Sequence, residues 1–265
     1  MEIELANRLA FAHRLADEAG EVIRPFFRKR IDVTDKGGRG FYDPVTEADR
    51  RAEKTIRTLI ISHYPEDGIL GEELGDVAGT SAYRWLIDPI DGTRAFISGQ
   101  TLWGTLLGLE RAGKPVLGIL DQPVLHERFV GFGGKAEFRA NGGVQPLQTR
   151  KCASLEEAAI STTHPWSYFT EAQRKAFARL SGEARMTRFG DDCYAYGLLA
   201  MGFIDLIAEA QLKPWDVQPL IPIIEGAGGI VTDWRGEPSK GGGNVIAAGD
   251  ARVHAQAVAI LSQAG

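Results

Sequence analysis

The nine residues Trp85-Leu86-Ile87-Asp88-Pro89-Ile90-Asp91-Gly92-Thr93 constrain this chain more than any other stretch. They read as a short apolar strand that runs into two aspartates and a glycine. Proline removes a backbone donor. The strand is therefore expected to stop there and leave Asp88 and Asp91 on an exposed turn, with the Ile90 carbonyl between them. Gly92 tolerates backbone angles closed to other residues and lets an anion approach the main chain. Thr93 is placed to open a helix, whose free N–H groups and dipole favour negative charge. Hard oxygens for a divalent cation and a seat for a phosphate-sized anion thus fall within six residues, 88–93. That combination points to metal-assisted phosphate chemistry.

Composition narrows the partners. A chain of 265 residues with 44% hydrophobic content can bury a full core, as one large domain or two fused halves. The net charge of −5 and the lack of a basic run argue against a nucleic-acid partner. Two cysteines, Cys152 and Cys193, suggest neither a disulfide framework nor a close metal spacing, and fit a reducing cytoplasm. The first residues carry scattered charges, unlike a signal peptide. No apolar run approaches the roughly 20 residues that cross a bilayer, so no membrane association is expected.

Periodicity predicts helices over 4–28 and 46–63, short strands over 31–36 and 68–71, and then the strand carrying Asp88. A flexible glycine-rich loop is expected over 37–43. Strands are expected over 102–111, 114–120 and 127–131, with a hairpin tip at Ala112-Gly113-Lys114. A break near 150–154 divides the chain into residues 1–150, helices followed by a largely antiparallel sheet, and residues 151–265, where strands and helices alternate. In the second part strands are expected over 158–162, 186–189, 204–208, 230–232 and 245–248. Helices are expected over 171–180, 193–201, 217–227 and 252–261.

Acidic residues recur at the ends of these elements. Thr46 and Asp49 have the spacing of a capping box, which alone accounts for Asp49. Glu72 and Glu73 follow the apolar run 68–71, at a strand end where α/β sites lie, although exposed acidic pairs are common. Asp216, after Pro214-Trp215, suits a helix N-cap and equally a ligand. Two like charges about 4 Å apart cost around 1 kcal/mol in water and about 4 at an effective dielectric of 20. A convergence of Asp49, Glu72, Asp88, Asp91 and Asp216 would therefore call for protonation or cations. Carboxylate and carbonyl oxygens select magnesium, manganese or calcium. The EF-hand pattern is absent. His126 and His164 lack zinc spacing, Ser98 and Ser161 lack a nucleophile elbow, and Trp103, Trp166 and Trp215 suit packing.

Taken together, Asp43-Pro-Val-Thr-Glu-Ala-Asp49, Gly71-Glu72-Glu73, Trp85 to Thr93, Trp215-Asp216 and Glu225-Gly-Ala-Gly-Gly229 resemble the inositol monophosphatase superfamily. They occur in that family's order and span most of the chain. The resemblance implies a layered α/β/α/β/α sandwich and Mg2+-dependent hydrolysis of a small phosphate monoester, with two or three Mg2+ per site and Mn2+ able to substitute. It implies metal ligands at Glu72, Asp88, Asp91, Asp216 and the Ile90 carbonyl. Asp49, Glu72 and Thr93 take the catalytic roles, with Asp49 and Thr93 orienting a metal-activated water. Gly92 and Thr93 hold the phosphate through main-chain N–H groups. A homodimer is also implied.

Some segments depart from the inositol branch, which usually continues Asp-Gly-Thr with Thr-Asn-Phe. Here Arg94-Ala95-Phe96 follows, with Arg188 to Gly197 and Leu212-Lys213-Pro214-Trp215-Asp216 further on. These segments resemble the histidinol-phosphate phosphatase branch. The expected substrate contacts are Gly92, Thr93, Arg94, Asp192, Glu209 and Asp216. Glu209 and Asp192 would meet an amine by charge-assisted hydrogen bonding. Helix capping before Cys193 is the competing role for Asp191 and Asp192, and Arg94 faces either phosphate or the helix surface. The expectation is hydrolysis of L-histidinol phosphate in histidine biosynthesis. The alternatives are an inositol monophosphatase of broad specificity, a metal-dependent nuclease, and a non-catalytic cation-binding protein.

Overall fold

Pro25 decides where the first helix ends. Apolar side chains keep helical spacing as far as Phe26, but α1 covers Glu2–Ile23 and a single 3-10 turn, Arg24–Phe26, follows it. The ring leaves no N–H to continue the ladder. The computed structural model describes residues 2–37, 42–239 and 241–264, with Glu2 described by its backbone only. Residues 38–41 of the expected loop fall outside that range. Strand β1 (Val33–Asp35), shorter than expected, pairs with β2 (Pro44–Thr46), which was not anticipated. Thr46 then opens α2 (Glu47–His63) with the predicted capping box.

An eight-stranded sheet follows. Its members are β3 (Gly68–Gly71), β4 (Gly75–Val77), β5 (Tyr83–Asp91), β6 (Gly104–Arg111), β7 (Lys114–Gln122), β8 (Glu127–Phe132), β9 (Lys135–Ala140) and β10 (Gly143–Pro146), with helix α3 (Thr93–Ile97) between β5 and β6. The order is β10-β9-β8-β7-β6-β5-β3-β4, antiparallel throughout except for β3 beside β5. Sequence patterning missed β4, β9 and β10. Lys135-Ala-Glu-Phe-Arg-Ala140, next to the edge strand β10, alternates charge with small or apolar residues, and such half-exposed strands carry weak hydrophobic signal.

The remaining elements are β11 (Ala159–Thr162), α4 (Pro165–Tyr168), α5 (Glu171–Glu183), β12 (Met186–Phe189), α6 (Tyr194–Ala200), β13 (Leu206–Leu212), α7 (Pro214–Val217), α8 (Ile221–Gly226), β14 (Ile230–Thr232), β15 (Gly243–Ala248) and α9 (Ala251–Leu261). Five strands form a second sheet in the order β12-β11-β13-β15-β14. The helix expected over 217–227 is broken: α7 ends at Val217, Pro219 follows, and α8 starts at Ile221 with Pro222 in its first turn, where proline is tolerated.

Period-two alternation sends successive side chains into different cores. Leu107, Ile119 and Val130 join α1 and α2 on one face of the large sheet. Leu106, Leu120 and Phe129 join α6, α8, Ile207 and Val245 on the other. Leu206, Ala208, Ile246 and Ala248 pack with α5 and α9 beyond the second sheet. The layers therefore run helices, sheet, helices, sheet, helices, as the resemblance implied.

One seam joins the two sheets. Gly108, Gly118 and Gly131 stand opposite one another on β6, β7 and β8. The segment from Pro219 to Ile223 lies directly on this row. A Cβ on Gly118 would fall 1.7 Å from the Pro219 carbonyl oxygen, and one on Gly131 would fall 2.2 Å from the Ile223 nitrogen. Backbone against backbone leaves no room for relaxation by a side-chain rotation. Gly118→Ala is expected to cost about 1–3 kcal/mol or more, read as a lower urea midpoint at unchanged slope. Gly182→Ala is the control. A Cβ there meets nothing within 4 Å in α5, and the change should stabilise by up to about 1 kcal/mol.

Candidate functional site

Strand β5 does not stop at its proline. It continues to Asp91, pairing Asp88 with Leu106 and Asp91 with Gly104 across a register shift. A bulge is where a strand tolerates proline, since the missing N–H breaks no ladder bond. The exposed turn expected from the sequence is thus corrected: Asp88 is only 2% exposed. Its Oδ1 accepts the Ile90 N–H at 3.1 Å. The Ile90 carbonyl accepts the Thr93 hydroxyl at 3.1 Å. Gly92 has φ of +89°, and a Cβ there would lie 3.0 Å from the Asp192 Cβ and from the Leu102 carbonyl oxygen. Helix α3 is five residues long, so its dipole contributes less to an anion seat than the sequence suggested.

A second group comes from the turn after β3. The Glu72 N–H donates to the Ile87 carbonyl at 3.1 Å. Glu53 of α2, fully buried, accepts the Glu73 N–H at 2.7 Å and the Leu74 N–H at 3.1 Å. Its charge is balanced by Arg57, whose Nε lies 2.7 Å away. This buried pair sets the Glu72 turn, and the sequence reading missed it. A signal was present: residues 53 and 57 adjoin the inward positions Ala52 and Ile56. Lys36 Nζ reaches Glu72 at 2.9 Å and Glu73 at 2.7 Å. Burial opposes its charge, but Glu72 and Glu73 raise its pKa overall. Asp49 stands apart. Its Oδ2 accepts from the Thr46 N–H at 2.9 Å and the Thr46 hydroxyl at 2.5 Å. It caps α2 and is not among the residues that line the cleft described next.

The third group comes from the second half. A bulge between Glu209 and Leu212 turns β13 out of its ladder. In α7, Asp216 Oδ2 accepts the Lys213 N–H at 2.7 Å, so it caps from inside the first turn and not from the N-cap position. Glu209 Oε1 accepts the Thr163 N–H at 2.6 Å and its hydroxyl at 2.7 Å. Asp191 is turned inward to Ser161 at 2.9 Å. Asp192 has φ of +43° and packs over Gly92. The N-cap of α6 is Cys193 without a side-chain bond, so the capping role considered for these aspartates is not what holds them. Trp166, expected to pack, is 67% exposed.

All three groups open on one cleft of about 420 Å³, whose walls include Lys36, Glu72, Asp88, Ile90, Asp91, Gly92, Thr93, Arg94, Asp192, Glu209 and Asp216. Thr163 and Tyr168 line it too and were not foreseen. Asp88 stands close enough to Glu72, Asp91 and Asp216 for their charges to act on its carboxyl. Burial, and then the charge of these neighbours, raises the Asp88 and Asp91 pKa values well above the carboxylate range. Burial lifts Asp216 to about 7, Asp192 to about 7 and Glu209 to about 8. Asp49 rises to about 6, again chiefly by burial.

The donor set is all hard oxygen and carries excess negative charge, which suits Mg2+ or Mn2+. Among the described residues no three His, Cys, Asp or Glu side chains form a closed ligand cage. The carboxylates act on one another through their charges, with Asp88 under the influence of Glu72, Asp91 and Asp216. The arrangement can neutralise divalent cations beside an anion and place further carboxylates near the anion's substituent. No described helix is long and apolar enough to cross a membrane.

The inositol monophosphatase family model matches residues 4–265. The bifunctional phosphatase IMPL2 of Arabidopsis thaliana is 43% identical, over 98% of this chain and 76% of its own. A histidinol-phosphatase from Chlorobaculum parvum is 35% identical over 87% of each chain. An inositol monophosphatase structure from Zymomonas mobilis superposes with a TM-score of 0.85 at 42% identity, over 97% of this chain and 98% of its own. With matching motifs, layered fold and near-complete coverage, this chain belongs to the inositol monophosphatase family of phosphatases.

Proposed function

We propose that this protein is a Mg2+-dependent phosphatase of L-histidinol phosphate, releasing L-histidinol and phosphate. The observation that carries the choice of substrate is the pair Asp192 and Glu209, which line the cleft in addition to the Glu72, Asp88, Asp91 and Asp216 group. A neutral polyol offers these two carboxylates hydroxyl donors but no positive charge to offset their burial. An ammonium or imidazolium neutralises them and gains charge-assisted hydrogen bonds. The likeness to a histidinol-phosphatase supports the same reading. An inositol monophosphatase is the second reading, favoured by the 42% identity to the Zymomonas mobilis protein.

Glu72, Asp88, Asp91, Asp216 and the Ile90 carbonyl would hold the metal, which supplies Lewis acidity and lowers the pKa of water. Thr93 orients the Ile90 carbonyl through its hydroxyl. Gly92, by lacking a Cβ, lets the ester's oxygens approach the main chain at residues 92–93. Asp49 fixes the start of α2, and the charges of Asp49 and Glu72 act on each other. Glu53 and Arg57 hold the Glu72 turn. Asp192 and Glu209 receive the cationic end of the alcohol. Residues 1–150 thus bring most of the metal ligands, and residues 151–265 complete the site.

Asp88→Asn should lower kcat/KM by about 100-fold or more without lowering the melting temperature measured in a chelator, because a repelled buried carboxylate has been removed. In steady-state assays with Mg2+, the wild type should prefer histidinol phosphate to inositol 1-phosphate, and Asp192→Ala and Glu209→Ala should erase that preference mainly through KM. A wild-type preference for the inositol ester would reject the assignment.

Glu209 also makes a prediction about pH. Its pKa in the fold, about 8, exceeds the unfolded value near 4.5. The protonated form is therefore favoured by folding, and its contribution is complete below about pH 4.5 and lost as pH rises through about 8. Urea midpoints measured between pH 5 and 8 in a chelator should fall with pH in the wild type and fall less in Glu209→Gln.

A further inference from the structure

Arg94 follows the Asp-Gly-Thr segment directly, and the sequence left it facing either phosphate or the helix surface. It does neither. Its guanidinium donates to the Tyr42 carbonyl and, at 3.4 Å, to Ser167 Oγ. The guanidinium carbon stands 5.2 Å from the centre of the Tyr168 ring and 6.0 Å from that of Tyr42. Arg94 therefore bridges the segment before β2, the start of α3 and the short helix α4. Ser167 passes the connection on. Its hydroxyl lies 2.7 Å from His164 Nδ1, which also accepts the Ser167 N–H at 3.2 Å and so caps α4.

We infer that Arg94 is a positioning residue for the alcohol end of the substrate and not a phosphate ligand: by tying Tyr42 to α4 it sets Tyr168 and Asp192 as the wall that receives a cationic group on the ester. This rests on the reading of the site given above. Three observations lead to it. First, two arms of the planar fork reach the Tyr42 carbonyl and Ser167 and its carbon lies over the Tyr168 ring, so the group is anchored on the α4 side of the cleft. Second, Asp192, Glu209, Thr163 and Tyr168 line the same cleft, and the Arg94 charge acts on Asp192 and Tyr168. Two acidic side chains favour a nearby ammonium or imidazolium, whose charge promotes their ionisation, over a phosphate dianion. Third, Asp192 holds φ of +43° over Gly92. A non-glycine residue in the left-handed region is kept there by its surroundings, and the Arg94 charge acts on its carboxylate. Lysine lacks the fork and the flat face that make these contacts together.

The test compares wild type, Arg94→Met, Arg94→Lys, Tyr168→Leu and the double variant Arg94→Met/Tyr168→Leu, each with Mg2+. Three quantities are read: KM and kcat for histidinol phosphate, the same for inositol 1-phosphate, and the inhibition constant of inorganic phosphate. Arg94→Met should raise KM for histidinol phosphate about tenfold, with a smaller change in kcat and a smaller rise in KM for the inositol ester. The phosphate inhibition constant should stay within about twofold. Tyr168→Leu should reproduce the KM effect, and the double variant should add little to either single change, the mark of two groups acting as one unit. Arg94→Lys, the variant that best preserves folding, should show an intermediate KM.

A rise in the phosphate inhibition constant parallel to both KM values would place Arg94 on the phosphate and overturn the inference. Unchanged KM in Arg94→Met and Arg94→Lys would overturn it as well. If the wild type prefers the inositol ester, the histidinol phosphate assignment fails. The phosphate inhibition constant and the Arg94–Tyr168 coupling, measured on the preferred ester, then still decide whether Arg94 acts at the alcohol end.

Discussion

Mutual repulsion among buried carboxylates is the constraint around which this molecule is built. Glu72, Asp88, Asp91 and Asp216 share one cleft; Glu72, Asp91 and Asp216 make Asp88 harder to ionise, and Glu72 and Asp216 do the same to Asp91. Left to local forces, such groups would part. Three of them are held instead by a main-chain or buried anchor. Asp88 accepts the Ile90 N–H, Asp216 accepts the Lys213 N–H, and the Glu72 turn is fastened to Glu53. The stability of the layers is spent on keeping like charges together.

The glycine row on β6, β7 and β8 serves the same end. It lets the backbone from Pro219 to Ile223 lie flat on the large sheet. Asp216 belongs to α7, immediately before that segment, and α7 lies against β5 and β6. The seam thus brings a carboxylate from the second half to aspartates of the first. The Glu53–Arg57 pair is the counterpart on the other side, a buried charge pair whose carboxylate is fully used by Arg57 and two N–H groups. Removing one member of such a pair leaves the other unpaired in the core.

Some of the site was legible in the order of residues alone. Asp88, Ile90, Asp91, Gly92 and Thr93 are adjacent in the chain, so their shared location needed no knowledge of the fold. The capping box at Thr46 and Asp49 is equally local. Other parts were legible only in type. Glu72 and Glu73 looked alike, yet one lines the cleft and the other is buried against Lys36. Arg94 could be named but not aimed, because Tyr42 and Ser167, its partners, lie 52 and 73 residues away.

The amino-acid sequence by itself determined the chemistry: hard oxygen donors, a glycine beside them, and the alternation of apolar residues that demands layers. Tertiary structure alone decided which of those donors face one another, that β5 runs on through Pro89 as a bulge, and that Gly108, Gly118 and Gly131 form a seam. The reason is range. Hydrogen-bond spacing and backbone freedom act over a few residues and can be read in order, whereas repulsion between carboxylates and close backbone packing depend on which distant segments the fold brings within a few ångströms.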